Sequence, residues 1–110
     1  MIPQRNRLEK SRVEYILKKG TRKSGKLFNL KYLNSPTQQS RFCVIVSLKV
    51  TPKATLRNRL RRQIYEIIRT SEFKPKTPQD IILITKPDIT SLSFEELNKV
   101  IIEVLKNLHE

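Results

Sequence analysis

The sequence predicts an α/β sandwich in which three helices are layered on a small mixed sheet. Apolar residues recur at helical spacing in three stretches, and in three short segments they alternate or run together. The segments come in the order helix, strand, strand, helix, strand, helix. The 110 residues make one domain. At that length folding buries roughly two-thirds of the surface of the unfolded chain.

The first ten residues read as a basic arm carrying Arg5 and Arg7. Ser11-Arg12-Val13-Glu14 matches a capping box, so a short helix is expected from there through Lys19, with Val13, Ile16 and Leu17 on one side. Gly20 supplies its stop, and Lys18-Lys19 suit the negative end of the helix dipole. Residues 27–33 alternate, with Phe28, Leu30 and Tyr32 on one face and Asn29 and Lys31 on the other, as in a half-buried strand. Residues 34–39 form a polar turn with Pro36. Residues 42–48 are a near-continuous apolar run, the mark of a strand buried on both faces, with Cys43 as a small buried hydrophobe. Pro52 makes residues 50–55 a loop.

Leu56, Leu60, Ile64, Ile67 and Ile68 then follow helical spacing and occupy an arc of about 120°. Asn58, Arg61, Arg62, Tyr65 and Arg69 fall on the opposite, exposed side, with Arg57 at the boundary and Arg59 beyond them. Glu66 is placed to pair with Arg62. Pro75 and Pro78 make residues 73–80 a connection, and residues 81–85 are the third strand, stopped by Lys86-Pro87. Ser93 and Glu96 form a second capping box, with Leu92 and Leu97 at hydrophobic-staple positions. Leu97, Val100, Ile101, Val104, Leu105 and Leu108 continue at helical spacing as the last helix. The segment 42–85 reads as a strand-helix-strand unit, so its two strands could be parallel, and such crossovers are right-handed in about 98% of cases.

Charge is unevenly distributed. The net charge is +13 with an isoelectric point near 10.3. Residues 1–31 carry +8, 32–56 carry +3, 57–76 carry +5 and 77–110 carry −3. A lopsided basic excess is the electrostatic footprint of a polyanion binder. The single cysteine excludes an internal disulfide, no apolar run approaches 18 residues, and the N-terminus lacks the apolar core of a secretion signal. A cytoplasmic protein with no membrane partner is expected.

The densest cationic feature is Arg57-Asn58-Arg59-Leu60-Arg61-Arg62, which opens the central helix. Planar guanidinium forks pair bidentately with phosphate oxygens and stack on bases, which an ammonium cannot do. A helix held down along one side and carrying such a fork on the other suits a phosphate backbone, with Lys49 and Lys53 assisting from the preceding loop.

These residues resemble a known family. Arg57-Asn58-Arg59-x-Arg61-Arg62 is similar to the Arg-Asn-Arg signature of the bacterial ribonuclease P protein subunit, and its surroundings agree in order and spacing. Arg5-Asn6-Arg7-Leu8 lies in the basic arm, Lys18-Lys19-Gly20 ends the first helix, and Phe28 begins the first strand. Arg41 begins the second strand and Val46-Ser47-x-Lys49 closes it, while Lys53-Ala54 precedes the signature. Asp80-Ile81-Ile82-Leu83-Ile84 and Ser93-Phe94-x-x-Leu97 follow it. The chain departs from the family pattern at Arg12-Val13 (usually Asp-Phe), Leu17, Lys31 and Tyr65.

The resemblance implies a left-handed crossover and a short fourth strand, placed between the second strand and the central helix. It implies the accessory subunit of a ribozyme that removes the 5′ leader of precursor tRNA to give the mature 5′ end. The partners would be ribonuclease P RNA and precursor tRNA, with no DNA. The protein itself would hold no cofactor, and Mg2+ would be used by the RNA-containing holoenzyme. The signature helix and its loop would face the catalytic RNA. A cleft between the first helix and the sheet would hold the leader, with Phe28, Lys31, Tyr32, Ser47, Arg5 and Arg7 as its candidate residues. Phe28 and Tyr32 are each either a stacking platform or core. Lys31 is either a phosphate partner or an exposed strand lysine, and Ser47 either a phosphate donor or a filler at the strand end. Arg5 and Arg7 would order only on RNA.

No self-sufficient catalytic set is visible. His109 is the only histidine, and Gly20 and Gly25 are the only glycines. There are no paired carboxylates with metal-nuclease spacing, no Cys/His ligand set and no glycine-rich phosphate loop. Catalytic residues and metal ligands are therefore expected to be absent from the chain, which makes an autonomous nuclease the weakest reading. A ribosomal or ribosome-assembly RNA binder shares the size and charge and is the alternative.

Overall fold

The protein, as a computed structural model, is described over residues 7–71 and 77–107. Helix α1 (Lys10–Lys19) leads into a hairpin of strands β1 (Thr21–Ser24) and β2 (Phe28–Asn34), followed by β3 (Arg41–Ile45). Helix α2 (Ala54–Thr70) connects to β4 (Gln79–Thr85), and a 3₁₀ turn (Pro87–Ser91) leads to α3 (Phe94–Asn107). The four strands lie in the order β1-β2-β4-β3. β2 is antiparallel to both its neighbours, and β3 and β4 are parallel across the α2 connection, so the sheet is mixed as expected.

Register decides which side chains share a face. Phe28 and Leu30 of β2, Phe42 and Val44 of β3, and Ile81 and Leu83 of β4 point to one side. There they form the main core with Ile64, Ile67 and Ile68 of α2 and Leu97, Ile101 and Leu105 of α3. Helix α1 lies across the other side. Its Ile16 and the Ile82 of β4 are both fully buried yet stand apart from the main core.

Two elements begin differently from the sequence expectation. Helix α1 starts at Lys10, and its cap position, Glu9, makes no side-chain cap bond, so the Ser11–Glu14 box does not form. The fourth strand precedes β2 rather than following β3. Its four residues, Thr21-Arg22-Lys23-Ser24, are all exposed and show no apolar alternation, because main-chain pairing to β2 defines it. Gly20 ends α1 as expected, through close approach rather than an unusual backbone angle. A Cβ there would sit 2.6 Å from the Ile16 carbonyl oxygen and 3.3 Å from the Tyr32 nitrogen.

β3 is shorter than the apolar run that predicts it. It ends at Ile45, and Leu48 stands exposed on a turn closed by the Val50 N–H donating to the Ser47 carbonyl at 3.0 Å. As an edge strand, β3 buries Phe42 and Val44 and leaves Cys43 and Ile45 half-covered. Its outer edge is satisfied from two directions. The Leu8 N–H donates to the Phe42 carbonyl at 3.2 Å, and the Val44 N–H donates to the Tyr65 hydroxyl at 3.0 Å. Tyr65 therefore pins α2 to the sheet and does not belong to the wet face. Burial pushes its phenol up from the ordinary value.

α3 follows its capping chemistry closely. The Ser93 N–H donates to the Glu96 carboxylate at 3.0 Å, and the Glu96 N–H donates back to the Ser93 hydroxyl at 3.2 Å. Leu92 and Leu97 both pack into the main core. Leu108 and His109 lie outside the described residues.

Candidate nucleic-acid interface

The arginine-rich half of α2 is its less buried half. Only Ile64, Ile67 and Ile68 of this helix are buried, all in its second half. Leu60 is half-buried against the core and Leu56 is 40% exposed, so the apolar arc read from the sequence is most deeply seated at one end. Residues 54–56, Asn58, Arg59 and Arg62 are exposed, which leaves the first two turns of the helix largely open to solvent.

The signature residues divide into two kinds. Arg57 donates through Nη1 to the Thr51 carbonyl at 2.9 Å and so fixes the loop before the helix. Arg61 donates to the Asn58 side-chain oxygen, so the asparagine orients a neighbouring guanidinium. Arg59 and Arg62 make no hydrogen bond or ion pair among the described residues. Glu66 pairs with Arg69 rather than with Arg62, as Arg69 Nε donates to it at 3.1 Å, and this holds the carboxyl below its ordinary value. Lys49 and Lys53 are exposed on the loop that feeds the helix. Guanidiniums with unfilled donors on an exposed helix face can take phosphate oxygens without first breaking a protein contact.

The face under α1 is different in character. Asn29, Lys31 and Leu33 of β2 lie in register with Ile84, Ile82 and Asp80 of β4, and these with Ile45, Cys43 and Arg41 of β3. At one end Asp80, fully buried, accepts from Arg41 Nε at 2.9 Å, Arg41 Nη2 at 2.7 Å and Arg12 Nε at 2.8 Å. Burial alone would raise the Asp80 carboxyl, but the two guanidiniums outweigh it and hold the group below the ordinary carboxylate value. Arg12 also donates to the Asn34 carbonyl at 3.1 Å and lies 5.4 Å from the Tyr15 ring centre. At the other end Asn29, Cys43, Ile45 and Ile84 are half-buried and form an open shelf beside α1. The Asn29 side-chain oxygen is buried there without a hydrogen-bond partner. Burial pushes the Cys43 thiol up, so it stays protonated.

The structure places the cleft residues expected from the sequence on both sides of the sheet and decides Phe28 and Tyr32 as core. Phe28 is 2% exposed in the main core, and Tyr32 packs against that core, both on the side covered by α2 and α3. Strand alternation keeps them off the face that carries Lys31. Lys31 does lie under α1, but its ammonium donates to the Leu17 carbonyl and caps the end of that helix. Ser47 is half-buried just beyond β3, and Arg7 is exposed beside the β3 edge, bridged to Phe42. Arg5 lies outside the described residues. Sequence reasoning missed Asn29, Ile45 and Ile84 on the shelf, and the Arg12–Asp80–Arg41 cluster. Only the alternation of Asn29 with Lys31 carried a signal for them.

Among the described residues no group of three or more His, Cys, Asp or Glu side chains could hold a metal ion. No helix among them is long and apolar enough to cross a membrane.

The model of the Ribonuclease P family matches residues 2–109. The chain belongs to that family. It is 32% identical over 108 residues to the ribonuclease P protein component of Syntrophomonas wolfei, covering 96% of this chain and 89% of that one. It is 33% identical over 100 residues to that of Bacillus pumilus, covering 89% and 83%. The solved RNase P protein from Thermotoga maritima superposes with a TM-score of 0.79 at 25% identity, covering 92% of this chain and 96% of that one. The fold is shared with the RNase P protein of Staphylococcus aureus, with a TM-score of 0.83 at 24% identity over 94% of each chain. Three helices on a four-stranded mixed sheet are thus common to ribonuclease P proteins and to this chain.

Proposed function

We propose that this chain is the protein subunit of ribonuclease P, working beside a catalytic RNA in removing the 5′ leader of precursor tRNA. The observation that carries this reading is the exposed first half of α2, where Arg59 and Arg62 have no partner among the described residues and Arg57 and Arg61 are held in place, in a chain of the ribonuclease P family. That surface, with Lys49 and Lys53, docks on ribonuclease P RNA. The open shelf under α1, lined by Asn29, Cys43, Ile45 and Ile84, holds the single-stranded leader, with Ser47 and Arg7 at its border. Phosphate contacts position a strand without reading its sequence, so leader recognition is broad. The RNA performs the cleavage and uses Mg2+, and the chain brings cationic surface that lowers repulsion between two polyanions. The setting is the cytoplasm.

The test combines the purified chain, ribonuclease P RNA, precursor tRNA and Mg2+, with each component omitted in turn. Cleavage at physiological salt should need both the RNA and the chain. The Arg59→Ala/Arg62→Ala variant should weaken RNA binding at least about tenfold while its melting temperature stays put, since neither side chain holds the fold together. Cleavage by the chain alone, or no effect of the chain on the RNA, would overturn the reading.

A further inference from the structure

Between the first turns of α2 and the start of α3 runs a groove of two adjoining lobes, about 400 and 340 Å³, which share Arg59, Gln63 and Phe94. That size is within the range of clefts that take small ligands. Two of the four large apolar side chains exposed among the described residues, Leu56 and Phe94, line it. Phe94 is 46% exposed. We propose that this groove is a stacking site for one unpaired adenosine of the RNA, with its base on the Phe94 ring, its edge read by Gln63 and its phosphate held between Arg59 and Arg62.

The proposal rests on the RNA-binding reading above and adds a base-specific contact to it. Phe94 is the first residue of α3, directly after the reciprocal Ser93–Glu96 cap, and Leu97 below it is buried. The ring is thus carried on a fixed backbone, which a stacking platform requires. The Gln63 amide makes no hydrogen bond among the described residues, so its donor and acceptor are both available. Side by side, they complement the N6 donor and N7 acceptor of adenine. Among the described residues, Arg59 and Arg62 supply the only unpaired charge lining the groove, because Glu66 is engaged by Arg69. An apolar plate flanked by two free guanidiniums matches the base and phosphate of a nucleotide. It matches an apolar peptide poorly.

The experiment uses the full chain and three probes: ribonuclease P RNA, octa-adenylate and octa-uridylate. In the Phe94→Trp variant the indole emission should be quenched by octa-adenylate and by ribonuclease P RNA. Octa-adenylate should bind several-fold tighter than octa-uridylate. Phe94→Leu, which keeps the apolar bulk but not the π face, should raise the Kd for octa-adenylate about tenfold, and Phe94→Tyr should restore it. Gln63→Leu should abolish the preference for adenine. Melting temperatures of all variants should agree within a few degrees. An unmoved indole emission, or wild-type affinity in Phe94→Leu, overturns the stacking site. If ribonuclease P RNA still binds the wild type, the proposed function stands without it. Self-association that disappears in Phe94→Leu would make the groove a contact between copies and also overturn the proposal. Failure of the wild type to bind any of the three RNAs removes both readings together.

Discussion

Asp80→Asn should destabilise the protein by about 3–5 kcal/mol, the usual result of breaking a buried ion pair from one side. The carboxylate is wholly inaccessible and accepts three guanidinium hydrogen bonds between 2.7 and 2.9 Å. Each such charged bond contributes roughly 1.5–3 kcal/mol. Part of that is offset because the variant no longer desolvates an anion. Asparagine keeps one acceptor and turns an amide donor toward two guanidiniums whose side chains are only 16% and 25% exposed. At roughly 4 °C per kcal/mol the melting temperature should fall by more than about 12 °C. Arg41→Ala should cost more than Arg12→Ala, since Arg41 makes two of the three bonds and is the more buried. The Asp80 carboxyl is depressed in the folded state, so its contribution is present above the unfolded value near about 3.9 and is lost as pH falls below it. Urea unfolding followed by circular dichroism at pH 7 and pH 3 reads both effects. The wild type should lose more stability on acidification than Asp80→Asn does. A loss under about 1 kcal/mol at pH 7, or equal acid sensitivity in the two proteins, would refute the argument that Asp80 is the anionic centre of this cluster.

Tyr65→Phe should cost about 1–2 kcal/mol, because it leaves the Val44 N–H on the β3 edge without its acceptor. Faster hydrogen exchange at the Val44 amide, with RNA affinity unchanged, is the accompanying signature. Ser93→Ala removes the hydroxyl that accepts from the Glu96 N–H and should cost about 1 kcal/mol in thermal unfolding.

Local chemistry was the part of this fold legible in the sequence. The Ser93–Glu96 box needs only residues three apart, and it forms as read, whereas the Ser11–Glu14 box does not, because α1 already starts at Lys10. The alternation in β2 places Phe28 and Lys31 on opposite faces. That alternation already conflicts with drawing Phe28, Tyr32 and Lys31 into one cleft, and the structure resolves the conflict in favour of the alternation. What depends on distant partners was not legible. Asp80 looks like an isolated acid in a basic chain, yet its partners lie 68 and 39 residues away. Tyr65 falls on the wet side of a helical wheel, because a wheel carries no record that the β3 edge runs beside it. β1 has no apolar pattern at all, since its order comes from main-chain pairing with β2. The arginine signature was legible as a charged helix, but the sequence could not tell which arginines are already engaged.

That last distinction decides which of the 23 lysines and arginines can meet RNA. Arg12 and Arg41 are committed to Asp80, Lys31 to the Leu17 carbonyl and Arg69 to Glu66, so these four cations are already engaged. Around the first turns of α2, Lys49, Lys53, Arg59 and Arg62 are the cations whose side chains make no hydrogen bond or ion pair among the described residues. Four neutralised phosphates correspond to a log–log salt slope of about −2.8 to −3.6 for this surface. Removing Arg59 and Arg62 together should flatten the measured slope by about 1.4–1.8, whatever the rest of the interface contributes. Asp80→Ala, by contrast, frees two guanidiniums on the opposite face and should steepen it wherever the protein remains folded. A variant that binds RNA more weakly with its slope unchanged would mean that Arg59 and Arg62 act by packing on bases rather than by pairing with phosphate.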